Sequence, residues 1–132
     1  LTPYVVGLEK SESLVARAQA FDQDLGGGRQ PVQFLAKADP FEGAPEAGLF
    51  DVIVVEGALP CVPQTLVAQL SQGGRLVCFI SGEKSSLATA TLVTKQGENT
   101  SVQRVFEASA SSLVFDVRKG EAHHAVSYTH LT

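Results

Sequence analysis

The sequence predicts an α/β fold whose sheet is mostly parallel and ends in an antiparallel hairpin, and three observations carry that expectation. Short runs rich in Val, Ile and Leu at 4–8, 32–36, 50–55 and 75–80 alternate with helical spacing or turn residues. That order, β-α-β-loop-β-α-β, is the signature of a doubly wound domain. The 50–55 run is continuous instead of alternating, so both its faces are expected to be covered, as in a parallel sheet flanked by helices. Two extended segments, 87–95 and 101–107, are then separated only by 96–100, a spacing that fits a hairpin with a longer loop.

Each element has a local reason. The first run, with Tyr4, Val5, Val6 and Leu8, is short, apolar and β-branched, which favours a buried strand ending at Glu9. Ser11 or Ser13 can cap a helix in which Leu14, Val15, Ala18, Phe21 and Leu25 share one face. Gly26, Gly27 and Gly28 stop it, and Pro31 bars its continuation into the second strand at 32–36. A loop rich in Pro, Gly and acidic residues fills 37–48. After the 50–55 strand, Pro60 and Pro63 frame a turn, with Pro63 suited to the first position of a helix. Leu66, Val67 and Leu70 give that helix a buried stripe, and Gly73 and Gly74 end it before the strand at 75–80. In the hairpin, Val102, Arg104 and Phe106 alternate with Gln103, Val105 and Glu107, a half-exposed pattern.

The 132 residues make one domain or a piece of one, long enough to bury a core. With 44% hydrophobic and 18% charged residues the chain reads as globular. A net charge of −4 and the lack of any Lys/Arg run argue against direct nucleic-acid binding. Cys61 and Cys78 are too few for a disulfide framework or a zinc site. The apolar runs fall far short of the ~20 residues of a membrane helix. The expected setting is soluble and cytoplasmic. The chain opens on Leu1, Thr2 and Pro3 and contains no Met, so its first residue is not expected to be a natural start. Residues 119–132 are expected to be a tail outside the 1–118 domain, disordered or artefactual. Within it 127–132 follow no pattern set by the rest, resemble translated adapter sequence and are set aside.

Ligands of open α/β sheets bind at the carboxyl ends of the strands, so candidates are sought there. Glu9 ends the first strand, where an acid can accept hydrogen bonds from both ribose hydroxyls of a nucleotide cofactor. Equally, it can be a surface carboxylate in a helix's first turn. The second strand leads to Asp39 and Pro40; that carboxylate can approach an adenine amino group, although most Asp-Pro pairs are simply turns. The third ends in Glu56 and Gly57, where glycine allows close backbone approach and Glu56 could face the amino-acid portion of a cofactor. Cys61 lies at the mouth of this site with no histidine placed to activate it, and Cys78 is mid-strand core. His123 and His124 are adjacent and would point in opposite directions on an extended chain, a poor start for a metal site. The glycines 26–28 follow a helix, so they read as a helix stop and not as a phosphate loop.

These residues also carry a family likeness. Residues 5–14 resemble the second-strand segment of class I SAM-dependent methyltransferases. Phe50, Asp51 and Ile53, then Val62-Pro63, then Gln69, Leu70, Gly73, Gly74 and Leu76 look closely like the protein-L-isoaspartate methyltransferase pattern. Residues 90–95 and 104–108 are similar to the terminal hairpin of a bacterial branch of it. The resemblance spans about 4–115, with 50–77 its specific part. It implies a partial Rossmann-like class I sheet and S-adenosyl-L-methionine (SAM) bound at the strand ends. The implied activity is methyl transfer to the carboxylate of L-isoaspartyl residues in damaged proteins, whose ester collapses to a succinimide that can reopen as aspartate. Glu9 matches the ribose-binding acid. Asp39 matches the aspartate flanking adenine, although Ala38 and Pro40 replace glycines common there. Glu56 and Gly57 fall where the family's fourth strand meets SAM and substrate. No catalytic residue and no metal ligand is assigned.

The resemblance places the family's first strand, its Gly-rich loop and the N-terminal substrate region upstream of Leu1. In the class order 3-2-1-4-5-7-6 that strand is central, so the strands ending at Glu9 and Val55 are expected to show unpaired edges, and the fragment to be unstable and inactive. Three other readings stand beside this one: a degraded relative that binds SAM without repair, a nicotinamide-dependent dehydrogenase using Glu9 on its ribose, and a structural α/β module. The terminal hairpin argues against the dehydrogenase.

Overall fold

The computed structural model describes residues 5–25, 32–82, 87–109 and the backbone of 128–131. The elements are β1 (Val5–Glu9), α1 (Glu12–Asp24), β2 (Val32–Ala36), 3-10 turns at Pro40–Glu42 and Pro45–Ala47, β3 (Phe50–Leu59), α2 (Gln64–Val67), β4 (Leu70–Ser81), β5 (Leu87–Gln96), β6 (Asn99–Ser109) and β7 (Tyr128–Leu131). They build one seven-stranded sheet in the order β2-β1-β7-β3-β4-β5-β6. β1 with β2 and β3 with β4 pair parallel, while β7 lies antiparallel between β1 and β3. The α/β class is the expected one.

The core follows the apolar runs. Leu8, Phe50, Ile53, Leu66, Leu70 and Leu76 are fully buried. Each contributes about 1.5–3 kcal/mol on leaving water. In β3, Ile53 and Val55 are buried, whereas Val52 and Val54 are only half-buried. One face of this strand is thus sealed and the other partly open, unlike the two covered faces expected from its run.

The central slot departs most from expectation. The edges of β1 and β3 are not unpaired: Leu8 and Val55 both face Thr129 of β7, and Val6 and Ile53 both face Leu131. The physical reason is the cost of two buried strands with unmatched N–H and C=O groups, which any extended segment can satisfy. Residues 128–131, set aside on sequence, are that segment. The tail expected at 119–127 and at 132 lies outside the described residues, as do the glycines 26–28 and the histidines 123 and 124. Truncating 128–132 is expected to lower the melting temperature, by about 5 °C per kcal/mol lost, and to raise light scattering at micromolar concentration. An unchanged melt would count against the pairing.

The order of the last strands also differs from the class order. β5 pairs directly with β4, and β6 lies at the edge. Only five residues, 82–86, separate β4 from β5, too few for the crossover that would carry the chain past an intervening strand. The turn is tighter than expected: Gln96 pairs with Asn99, leaving Gly97 and Glu98 as a two-residue loop with Gly97 at φ +64°. β6 is exposed along both faces instead of half-exposed.

Both helices are corrected in detail. Ser11 caps α1, its side chain accepting from the Leu14 N–H. Val15 is buried, but Leu14, Phe21 and Leu25 are exposed, because α1 packs mainly against the edge strand β2 and overhangs it. α2 is a single turn with Pro63 as its cap, not its first residue. Leu70 already belongs to β4, where it pairs with Phe50. Gly73 and Gly74 do not stop a helix; they form an irregularity in β4 between the Phe50–Leu70 and Val52–Arg75 pairs. Gly73 has φ +75°, and a Cβ on Gly74 would meet the Ser71 carbonyl oxygen at 2.8 Å.

Cys78 is buried and Cys61 exposed. Burial, and secondarily repulsion from Cys61, pushes the Cys78 thiol up from 9.0 to about 11. The folded state therefore holds this proton more tightly than the unfolded one. The corresponding stability is intact below pH 9 and lost as pH rises from 9 to 11. At pH 8 a thiol reagent is expected to titrate one cysteine in the native chain and two in denaturant; two fast native thiols would contradict this packing.

Candidate functional site

Four sequence candidates lie on one edge of the sheet, at the carboxyl ends of β1, β2 and β3. Glu9 is nearly buried, at 8% exposure. Its carboxylate accepts from the backbone N–H groups of Lys10 and Ser11, at 2.5 and 3.4 Å, at the mouth of the β1–α1 turn. Its own carbonyl accepts from Lys37 N at 2.9 Å, which extends the β1–β2 ladder and draws the chain leaving β2 alongside Glu9. Asp39 follows two residues later. It serves the Asp-Pro turn, its Oδ1 accepting from Phe41 N at 3.0 Å over buried Pro40 and Phe41. Lys37 is engaged with exposed Glu46 at 2.6 Å, and that bond holds the Glu46 carboxyl below its ordinary 4.5.

Glu56 and Gly57 sit in an irregular stretch of β3, where register is lost between the Val54–Val77 and Ala58–Phe79 pairs. Gly57 has φ +127°, a conformation L side chains rarely adopt, and bulges of this kind recur beside binding sites. Because Leu8 and Val55 share Thr129 as partner, Glu9 and Glu56 stand at one level, two strands apart. Two inter-strand spacings put their backbones about 10 Å from each other. The structure thus brings Glu9 close to the Asp39 segment and sets Glu56–Gly57 across β7 from them.

The described residues also form clefts away from these four. One of about 610 Å³ runs between α1 and β2, one of about 720 Å³ borders Pro45, Leu49 and Gln69, and one of about 350 Å³ lies between Cys61 and the hairpin. Among the described residues no cluster of three or more metal-ligating side chains occurs, and no helix is long and apolar enough to cross a membrane.

The sequence placed Gln69 in the family-like pattern but gave it no role. It is buried, its Oε1 accepts from Ala44 N at 3.0 Å, and its Nε2 donates to the Glu42 carbonyl at 2.7 Å. It fastens the loop after Asp39 to the start of β4. The available signal was a lone amide in the apolar stretch Leu66, Val67, Leu70.

The sequence profile described as protein-L-isoaspartate(D-aspartate) O-methyltransferase (PCMT) matches residues 2–114. The chain belongs to this family. Among curated relatives named protein-L-isoaspartate O-methyltransferase, that of Pelotomaculum thermopropionicum is 36% identical over 80 residues, 61% of this chain and 34% of the relative. That of Azoarcus sp. is 35% identical over 97 residues, 74% of this chain and 42% of the relative. A solved protein-L-isoaspartate O-methyltransferase superposes with TM-score 0.71 at 28% identity, covering 81% of this chain and 33% of the other. A second, from Plasmodium falciparum in complex with S-adenosyl-L-homocysteine (SAH), shares the fold at TM-score 0.65 and 24% identity, covering 83% of this chain and 51% of the other. The chain spans only 34% and 42% of the length of these two curated relatives. Membership in the PCMT family sets aside the dehydrogenase reading.

Proposed function

We propose that the protein carrying this span is a SAM-dependent protein carboxyl methyltransferase. It would act in the cytoplasm on damaged proteins or peptides that carry L-isoaspartyl residues. The observation that supports this best is Glu9: a nearly buried carboxylate at a strand's carboxyl end, within a chain of the PCMT family, with no ion pair among the described residues. Its hydrogen-bond partners are two N–H groups on one oxygen, so acceptor capacity remains for a ribose diol. Asp39, on the segment held beside Glu9, would flank adenine. Glu56 and Gly57 would meet the amino-acid portion, with Gly57 letting the backbone approach closely. SAM, when bound, supplies an electrophilic methyl group that the isoaspartyl carboxylate takes up as its methyl ester. The acceptor is already anionic at neutral pH, so the chain's residues orient it and need not remove a proton.

This span alone is expected not to turn over. Its central slot holds β7, which runs antiparallel and presents its first residue, not its last, at the edge where Glu9 and Glu56 stand. A degraded relative that binds SAM without repair is the second reading, favoured by Asp39 serving as a turn cap between Ala38 and Pro40. Calorimetry with SAH on the intact protein, beside methyl transfer to an isoaspartyl peptide and to its aspartyl isomer, separates the two. Binding with isoaspartyl-selective transfer is expected. Binding without transfer favours the second reading, and no binding of SAM or SAH sinks both.

A further inference from the structure

The geometry points to a carboxylate-binding subsite in the cleft between the 60–63 turn and the β5–β6 hairpin, used by an acidic side chain of the acceptor peptide that the methyl-transfer reading requires. The cleft, about 350 Å³, is lined by Cys61, Ile80, Thr89, Thr91, Val102 and Arg104, among others. It opens just beyond β3, on the same side of the sheet edge as Glu56 and Gly57. The pairs Cys78–Thr91 and Ile80–Thr89 place both threonines on the face that carries buried Leu76 and Cys78. The cleft therefore continues the core face past the cover of the 60–63 turn and α2.

A bulge in β6 decides which side chain enters it. Ala90 pairs with Phe106, but the next residue, Thr91, pairs with Arg104, so Val105 is skipped. In a regular ladder Val105 would oppose Thr91. The bulge sets a guanidinium there in place of an isopropyl group, a re-aiming for which bulges are known. Arg104 has no ion pair among the described residues, and Glu107, opposite Thr89, does not line the cleft.

Two hydroxyls nearby are already committed: Thr91 Oγ1 donates to the Thr89 carbonyl at 3.1 Å and Ser81 Oγ to the Leu59 carbonyl at 3.2 Å. Among the described side chains Arg104 and the Thr89 hydroxyl remain as donors, between apolar walls of Ile80 and Val102. One guanidinium with one hydroxyl suits a single carboxylate on an aliphatic stem. A phosphate, with its higher charge, calls for more donors than the described side chains of this cleft offer.

The chain has two cysteines, and the exposed one stands in the cleft, so its alkylation reads the local field. Iodoacetate is expected to outpace iodoacetamide at Cys61 by about threefold relative to the same ratio on an unstructured cysteine peptide, as one nearby screened cation would give. Arg104→Gln should return the ratio to the peptide value, and Arg104→Lys should keep most of it. A short peptide bearing two glutamates should slow iodoacetamide labelling of the unaltered chain, whereas its glutamine counterpart should not.

A ratio equal to the peptide's, or one untouched by Arg104→Gln, overturns the subsite. An iodoacetate preference without protection by the acidic peptide overturns its assignment to peptide. Labelling of Cys78 in the same samples reveals a variant that has not folded, and the Lys variant and the protection assay then decide. None of these readouts uses SAM, so loss of the methyl-transfer reading would leave SAH binding absent while the anion preference at Cys61 persists.

Discussion

Replacing Glu9 with alanine is expected to weaken SAH binding to the intact protein by about 30- to 150-fold, the equivalent of about 2–3 kcal/mol for charge-assisted hydrogen bonds to two hydroxyls. Glu9→Gln keeps an acceptor of the same shape without the charge and should cost about tenfold. The side chain also holds the N–H groups of Lys10 and Ser11, so alanine loosens the β1–α1 turn as well. Calorimetry must therefore be paired with a melt. The glutamine variant retains an oxygen for those N–H groups and separates the two effects. An SAH affinity unchanged in a glutamine variant of unchanged melting temperature would remove Glu9 from the site.

The fold was legible where local chemistry and tertiary context agree. The runs at β1 to β4 are apolar and β-branched, and burial selects such runs for strands whatever surrounds them. The hairpin was legible in outline because Gly97 fits its turn. What was not legible depended on partners distant in sequence. The glycine pair at 73–74 looks like a helix stop because two glycines stop a helix equally well as they relieve a crowded bend in a strand. Only the pairing of Leu70 with Phe50 distinguishes the two. Leu14, Phe21 and Leu25 have helical spacing, yet spacing cannot report that the strand beneath them is an edge. The 128–131 segment lacks a sequence pattern of its own, since its strand is imposed by two neighbours that each lack a partner. At the candidate site the carboxylates were found because strand ends are where ligands bind, and Gly57 because a glycine there stood out. Gln69 and Arg104 were read only as members of the family-like pattern and of the hairpin's alternation, with no role of their own. The role of the first lies in a loop more than twenty residues away, and that of the second in a bulge with no mark in the sequence.

Gln69→Leu is expected to destabilise the chain by about 2 kcal/mol, since it strands the buried Ala44 N–H, at about 1–3 kcal/mol, and takes the partner from the part-buried Glu42 carbonyl, which water can partly replace. That loss would lower the melting temperature by roughly 10 °C or more. The reason lies in how the loop after Asp39 is held. Glu42 and Ala44 flank Gly43, whose φ of +73° lets the backbone turn both polar groups toward one amide. A Cβ on Gly43 would collide with both Oε1 and Nε2 of Gln69, so glycine here is required both by the dihedral and by the amide it touches. Gly43→Ala should consequently cost more than the ~1 kcal/mol of a left-handed residue, because the amide must abandon its partners to make room. If both substitutions break the same clamp, Gly43→Ala combined with Gln69→Leu will cost less than the sum of the two, by about 1–2 kcal/mol. Chemical denaturation of the two single variants and the double variant measures that difference. Strict additivity would mean that the glycine and the amide act apart, and the loop that carries Asp39 would then have to be held to β4 by something other than Gln69.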